Sequence, residues 1–111
     1  MDQVLTPVRT DAQRKASLVW ANQVRKHRAV LLRALKRREG ERSAADVLAR
    51  PLAEEQTLKV FVLLCALPQF GPKRSTALLR EAGISHVKTV GGLSDRQCLV
   101  LIELVRSRVS R

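Results

Sequence analysis

The sequence predicts an all-α protein, with a long basic helix at its N-terminus and a compact helical unit after it. Three observations carry that expectation. Hydrophobic residues make up 45% of the 111, yet only 3% are aromatic and none is tyrosine, so Leu, Val and Ala must build the core, which favours helices over a β-sandwich. No glycine or proline falls between Thr10 and Arg38, and apolar residues recur there at helical spacing. Beyond Gly40, Ser-led caps, prolines and glycines punctuate the chain at helix-length intervals. A chain of this length holds one modest core.

Thr6-Pro7 offers an N-cap followed by proline at the first helical position, and Thr10 with Gln13 offers a second start of the capping-box type. The helix should run to about Arg38, with Gly40 ending it. Ala16, Trp20, Val24, Leu31, Ala34 and Leu35 fall on one face, where Trp20 is expected to pack in the core rather than stack on a ligand. Lys15, Lys26, Arg33, Lys36 and Arg37 fall on or near the opposite face.

Ser43 with Asp46 caps a short helix, SAADVLAR, stopped by Pro51. A third helix is expected from about Ala53, with Glu54-Glu55 favouring its dipole. Leu58, Phe61, Val62, Leu64, Cys65 and Leu67 cover most of its circumference, which marks it as the buried centre, and Leu67-Pro68 closes it. A fourth runs from Pro72, with Leu78 and Leu79 inside, to a glycine cap at Gly83. The connector ISHVKTVGGL reads as irregular. Ser94 with Gln97 caps the last helix, whose inner face is Cys98, Leu101, Ile102 and Val105. The domain reading is residues 1–40 as the long basic helix and 41–111 as the compact unit.

The charge balance points to a polyanionic partner. Lys and Arg number 21 against 10 acids, a formal +11, which is more than solubility requires. Residues 1–50 hold 12 basic and 5 acidic residues, and residues 51–111 hold 9 and 5, so the long helix region is the more basic. No apolar run is long enough to span a bilayer, and the first residues lack a signal-peptide core, so a cytoplasmic location is expected. Cys65 and Cys98 sit in apolar runs and read as reduced, buried thiols. Neither they nor the isolated His27 and His86 form a metal pattern, and no cofactor is expected. Nothing converges into a nucleophile–base constellation, so no catalytic residues are assigned.

One stretch has a physical reason to bind phosphate. In LPQFGPKRSTALL a turn leads into a helix start, whose first backbone N–H groups are unpaired and whose dipole favours anions. Gly71 lets a backbone approach closely, Lys73 and Arg74 add charge, and Ser75 offers a hydroxyl donor. Such contacts hold a nucleic-acid backbone without reading bases. In the connector, Lys88, Thr89 and Gly91 read as a flexible cationic loop that either touches phosphate or a minor groove or only serves a sharp turn. The residues leave both readings open. Lys26, Arg33, Lys36 and Arg37 of the long helix complete the candidate set.

The chain resembles the actinobacterial integration host factor family, small DNA-binding proteins with a long N-terminal helix and a helix-two-turn-helix unit, unrelated in fold to the dimeric β-arm proteins of the same name. The likeness extends from Leu5-Thr6-Pro7 to the C-terminal helix, and LPQFGPKRS, EAGIS (Glu81 to Ser85) and VGGLSDRQ (Val90 to Gln97) carry it. Against the family's L-P-G-V-G-K-x-R-A, Leu67, Pro68, Gly71 and Arg74 match, Gln69 replaces a glycine, and Pro72 replaces a lysine that Lys73 restores one residue later. Against R-R-V-R-G-L-G, whose arginines serve DNA binding in the family, Lys88 keeps the first charge and Val90, Gly92 and Leu93 match, but Thr89 and Gly91 carry none.

The resemblance implies a non-enzymatic protein that binds double-stranded DNA through its phosphate backbone, with little sequence preference, and bends or compacts it. It also implies a nucleoid setting or assistance to a phage integrase in site-specific recombination, and a monomer is expected. Two alternatives follow from the same charge: RNA binding, as in a ribosomal protein that shares the helix-two-turn-helix unit, and a protein-interaction module docking through the Trp20–Leu35 stripe.

Overall fold

The computed structural model of the protein describes residues 10–109, the side chain of Val109 excepted, so Leu5, Thr6 and Pro7 lie outside the described residues. Five helices follow in order: α1 (Asp11–Arg37), α2 (Ala44–Ala49), α3 (Val60–Cys65), α4 (Gly71–Ala82) and α5 (Asp95–Val109). Short 3-10 turns occupy Ala53–Glu55 and Val90–Gly92. Among the described residues there is no strand, only an isolated antiparallel bridge between Lys59 and Thr89.

Local chemistry starts three of the helices. The Thr10 hydroxyl accepts from the Gln13 N–H at 3.1 Å while Gln13 Oε1 accepts from the Thr10 N–H at 2.8 Å. Ser43 with Asp46 and Ser94 with Gln97 repeat this reciprocal pair for α2 and α5. Each pair satisfies two donors that a bare helix start would leave unpaired. Hydrogen bonds from the Ser43 backbone and then its side chain hold the Asp46 carboxyl below its ordinary range.

Two helix ends close with a left-handed residue. Gly83 (φ 71°) ends α4 as expected, with Ile84 N–H donating to Leu79 O at 2.9 Å and Ile84 buried beside it. At the end of α1 the left-handed residue is Arg38 (φ 56°), not the expected Gly40. Glu39 N–H donates to Ala34 O at 2.8 Å, so the helix has already closed before Gly40 is reached.

The expected third helix is two pieces. The chain from Ala53 forms one 3-10 turn, then extends through Lys59 before α3 begins, because Lys59 pairs with Thr89 of the connector. Val60 N–H donates to Lys88 O at 3.0 Å, Val90 N–H to Leu58 O at 2.8 Å and Gly91 N–H to Gln56 O at 2.9 Å. These bonds use backbone groups that a continuous helix would need for itself. They also make the connector a stapled segment rather than the flexible loop expected from its glycines.

The core combines Leu31 and Leu35 of α1 with Val47 and Leu48 of α2, Val60, Leu63 and Leu64 of α3, Leu78 and Leu79 of α4, and Leu101, Ile102 and Val105 of α5. Helices α2 and α4 pack on α5, α3 packs on α4, and α1 rests on the Ala53–Glu55 turn. Only the second half of α1 reaches this core. The Trp20 end of the expected stripe projects beyond it, with Trp20 45% exposed, Ala16 exposed and Val24 half-buried. The radius of gyration, 17.0 Å, exceeds the ~13 Å of a compact chain of this length, in keeping with a 27-residue helix ~40 Å long.

The seat of α1 is polar. Glu55 is fully buried and accepts from Arg42 at 2.5 and 2.9 Å, from the Leu52 N–H at 2.9 Å and from His27 Nε2 of α1 at 2.6 Å. Glu55 is therefore a tertiary anchor and not a helix-dipole residue. His27 is not isolated, and neither is His86, whose ring lies 4.7 Å from that of Phe61. Arg28 donates to Thr57 in the same region. Both cysteines are free but half-buried rather than buried. The Cys98 thiol donates to Leu48 O at 3.0 Å, and burial, with Asp95 nearby, pushes its pKa up.

Candidate nucleic-acid interface

The turn between α3 and α4 is built by two buried plugs, Leu67 and Phe70, and by two left-handed residues, Gln69 (φ 63°) and Gly71 (φ 64°). Leu67 N–H donates to Leu64 O and Phe70 N–H to Leu67 O, which closes the corner tightly. The helix that follows differs from α1, α2 and α5 in having no side-chain cap: its N-cap residue is Phe70, and Pro72 sits in the first turn. Among the described residues no side-chain cap therefore satisfies the positive end of this helix. A Cβ at Gly71 would meet nothing within 4 Å, so this approach is open, and the glycine is there for its φ.

Lys73 and Arg74 are exposed on this first turn, and Arg74 Nη1 reaches Gln69 O at 3.4 Å. Ser75 is a correction. Its side chain is fully buried, and its hydroxyl donates to Gly71 O at 2.7 Å, so it faces the interior and is not presented to a phosphate. Its position one residue past exposed Arg74 turns it inward, a consequence of helical phase that spacing alone does not reveal.

The connector is organised around backbone pairing. Lys88 and Thr89 are half-buried, and the bridge sets exposed Lys59 beside them, a cation that sequence spacing alone does not connect to this loop. Gly91 has a structural reason to be glycine: a Cβ there would overlap the Gln56 side chain and approach Gln56 O to 2.9 Å. Thus the connector and the α4 start lie at opposite ends of α3, a helix of six residues about 9 Å long.

Lys26, Arg33, Lys36 and Arg37 are all exposed on α1, on the side away from Leu31 and Leu35. They are not gathered at the corner. The end of α1 reaches it through Arg38, which lines a cleft with Gln69, Phe70 and Arg74. Arg38 and Arg108 of the same cleft are not marked as functional by the sequence, since only the tertiary fold brings residues so far apart in the chain together.

Among the described residues no group of three His, Cys, Asp or Glu could hold a metal ion, and no helix is long and apolar enough to cross a membrane.

Comparison with known proteins gives concordant likenesses. No protein-family model matches the chain. It is 36% identical over 99 residues to a protein named integration host factor from Mycobacterium tuberculosis, covering 87% of this chain and 92% of that protein. The same figures hold for the integration host factor of Mycolicibacterium smegmatis. A solved structure of sIHF bound to an 8-bp palindromic DNA superposes with a TM-score of 0.66 at 26% identity, over 80% of this chain and 96% of that one.

Proposed function

The chain belongs to the integration host factor family, and from that premise we propose that it binds duplex DNA through its phosphate backbone and bends or compacts it, as a nucleoid-associated protein without catalytic activity. The observation that carries the mechanism is the uncapped, cationic start of α4. There the helix dipole, the free N–H groups of the first turn, Lys73 and Arg74 all favour one anion. Phosphate contacts of this kind position a duplex but do not read it, so little sequence preference follows.

Around this centre the site comprises Gly71, Lys73 and Arg74, with Lys88, Thr89 and Gly91 of the connector presented beyond the far end of α3. The exposed α1 cations Lys26, Arg33, Lys36 and Arg37 form a second basic surface that extends the contact along the duplex. Thr89 and Gly91 serve mainly through their backbone, as part of the segment that bonds from Val60 N–H to Lys88 O, Val90 N–H to Leu58 O and Gly91 N–H to Gln56 O hold against Lys59. In the cell this reading corresponds to a monomer acting on the nucleoid, with assistance to a phage integrase as one use of DNA bending.

Charge reversal tests the mechanism. Lys73→Glu combined with Arg74→Glu should weaken binding to every duplex by a similar factor, about 100-fold for two charge-assisted contacts, at unchanged helicity. Unchanged affinity would remove the α4 start from the interface.

A further inference from the structure

The end of α1, the α3–α4 turn, α4 and α5 converge on a cleft of about 480 Å³ whose charged lining residues are all arginines: Arg38, Arg74 and Arg108. Its floor includes the apolar side chains of Phe70 and Leu78, both buried. Among the described residues, the one carboxylate bonded to these cations is Glu81, which takes both its bonds, at 2.9 Å, from Nη2 of Arg108. Arg74 spends one nitrogen on a long 3.4 Å contact to Gln69 O. Arg38 makes no side-chain hydrogen bond or ion pair to the described residues. Three arginines therefore line one concavity, and among the described residues most of their guanidinium donors have no hydrogen-bond partner.

The backbone of Arg38 strengthens the point. It holds a left-handed conformation that disfavours a side chain by about 1 kcal/mol and that glycine adopts freely. The position that closes α1 carries instead an arginine that lines the cleft. Like charges gathered over an apolar floor repel one another and focus a positive potential, which an anion of matching geometry relieves. Guanidinium forks match phosphoryl oxygens in bidentate fashion.

We propose that this cleft is a phosphoryl-binding site adjoining the α4 start and sharing Arg74 with it, and that it takes a backbone phosphate of the bound duplex. The proposal rests on the DNA-binding reading above. It extends that reading to Arg38 and Arg108 and makes the junction of four segments a point that the ligand staples together.

The test uses Arg38→Asn with Arg108→Gln. Asn tolerates the left-handed conformation, and Gln keeps a polar amide without the charge at an exposed position, so the fold should be retained and circular dichroism checks it. Duplex affinity is measured across a salt series, and melting is measured with inorganic tripolyphosphate. For the double variant we expect duplex affinity roughly tenfold lower or more, with the slope of log K against log salt reduced by about one for each lost contact. We also expect loss of the melting increase that tripolyphosphate gives the unaltered protein. Loss of the tripolyphosphate response with duplex binding intact assigns the same chemistry to a free polyphosphate rather than to DNA. Unchanged duplex affinity and slope, together with a tripolyphosphate response that is absent from the unaltered protein or retained by the variant, overturns the proposal. Failure of the DNA-binding reading is a separate result, in which the unaltered protein itself does not bind duplex, and the tripolyphosphate arm then decides the cleft alone.

Discussion

At Gln69 the backbone takes φ 63° without the benefit of glycine, at a turn position where the family pattern has one. The chain bears this cost, of order 1 kcal/mol, because Leu67 and Phe70 on either side are buried and fix the corner. Gln69→Gly should therefore stabilise the protein by up to about 1 kcal/mol, seen as a higher urea midpoint at unchanged m-value. A lower midpoint would show that the Gln69 side chain contributes more than its backbone costs. Glu55 governs a second residue-scale effect. Burial raises its pKa, but the hydrogen bonds from Arg42, His27 and Leu52 outweigh that and hold the carboxyl below its ordinary 4.5. A depressed folded pKa contributes stability that is fully present above the unfolded value and is lost as pH falls through the folded one. Stability should accordingly decline as pH drops below about 4.5, and Glu55→Gln should cost about 1–3 kcal/mol at pH 7 and lose part of that acid dependence. Urea unfolding at neutral and acid pH measures both, and a variant with an unchanged acid limb would contradict the assignment.

Among the elements, α1 divides at about its midpoint into a seated half and a projecting half. Leu31 and Leu35 are buried, whereas Trp20, on the same face, is not. Leu31→Ala should cost about 2–5 kcal/mol, and Trp20→Ala should lie within about 0.5 kcal/mol of the unaltered protein. Thermal unfolding of the two variants separates these outcomes, and a large loss at Trp20 would mean that the projecting half packs in solution. This division shows what was legible in advance. The caps at Thr10, Ser43 and Ser94 and the glycine stop at Gly83 are set by residues three or four apart, so spacing reveals them. The amphipathic face of α1 was legible too, but not where the core beneath it stops. The break at Thr57–Lys59 was hidden because it depends on Thr89, and the Glu55 anchor because His27 and Arg42 are remote in the chain. At the candidate site, Lys73 and Arg74 were legible as exposed charge next to a turn. The burial of Ser75 and the arrival of Arg38 and Arg108 depend on helix phase and tertiary convergence.

Over the whole molecule, the uncapped α4 start, the stapled connector and the outer face of α1 give one small chain several separate cationic surfaces, each proposed above as a phosphate contact. Helix α1 alone carries eight basic residues against one acidic. The central claim is that these surfaces bind duplex DNA electrostatically, with little regard for sequence. The most direct measurement is the affinity for two duplexes of unrelated sequence, followed by fluorescence anisotropy from about 50 to 200 mM salt. For electrostatic binding of this kind log K should fall steeply and in parallel for both duplexes, with a slope that reports several phosphate contacts and affinities within a few-fold of each other. A flat salt dependence, or a preference of about a thousandfold or more for one duplex, would contradict it.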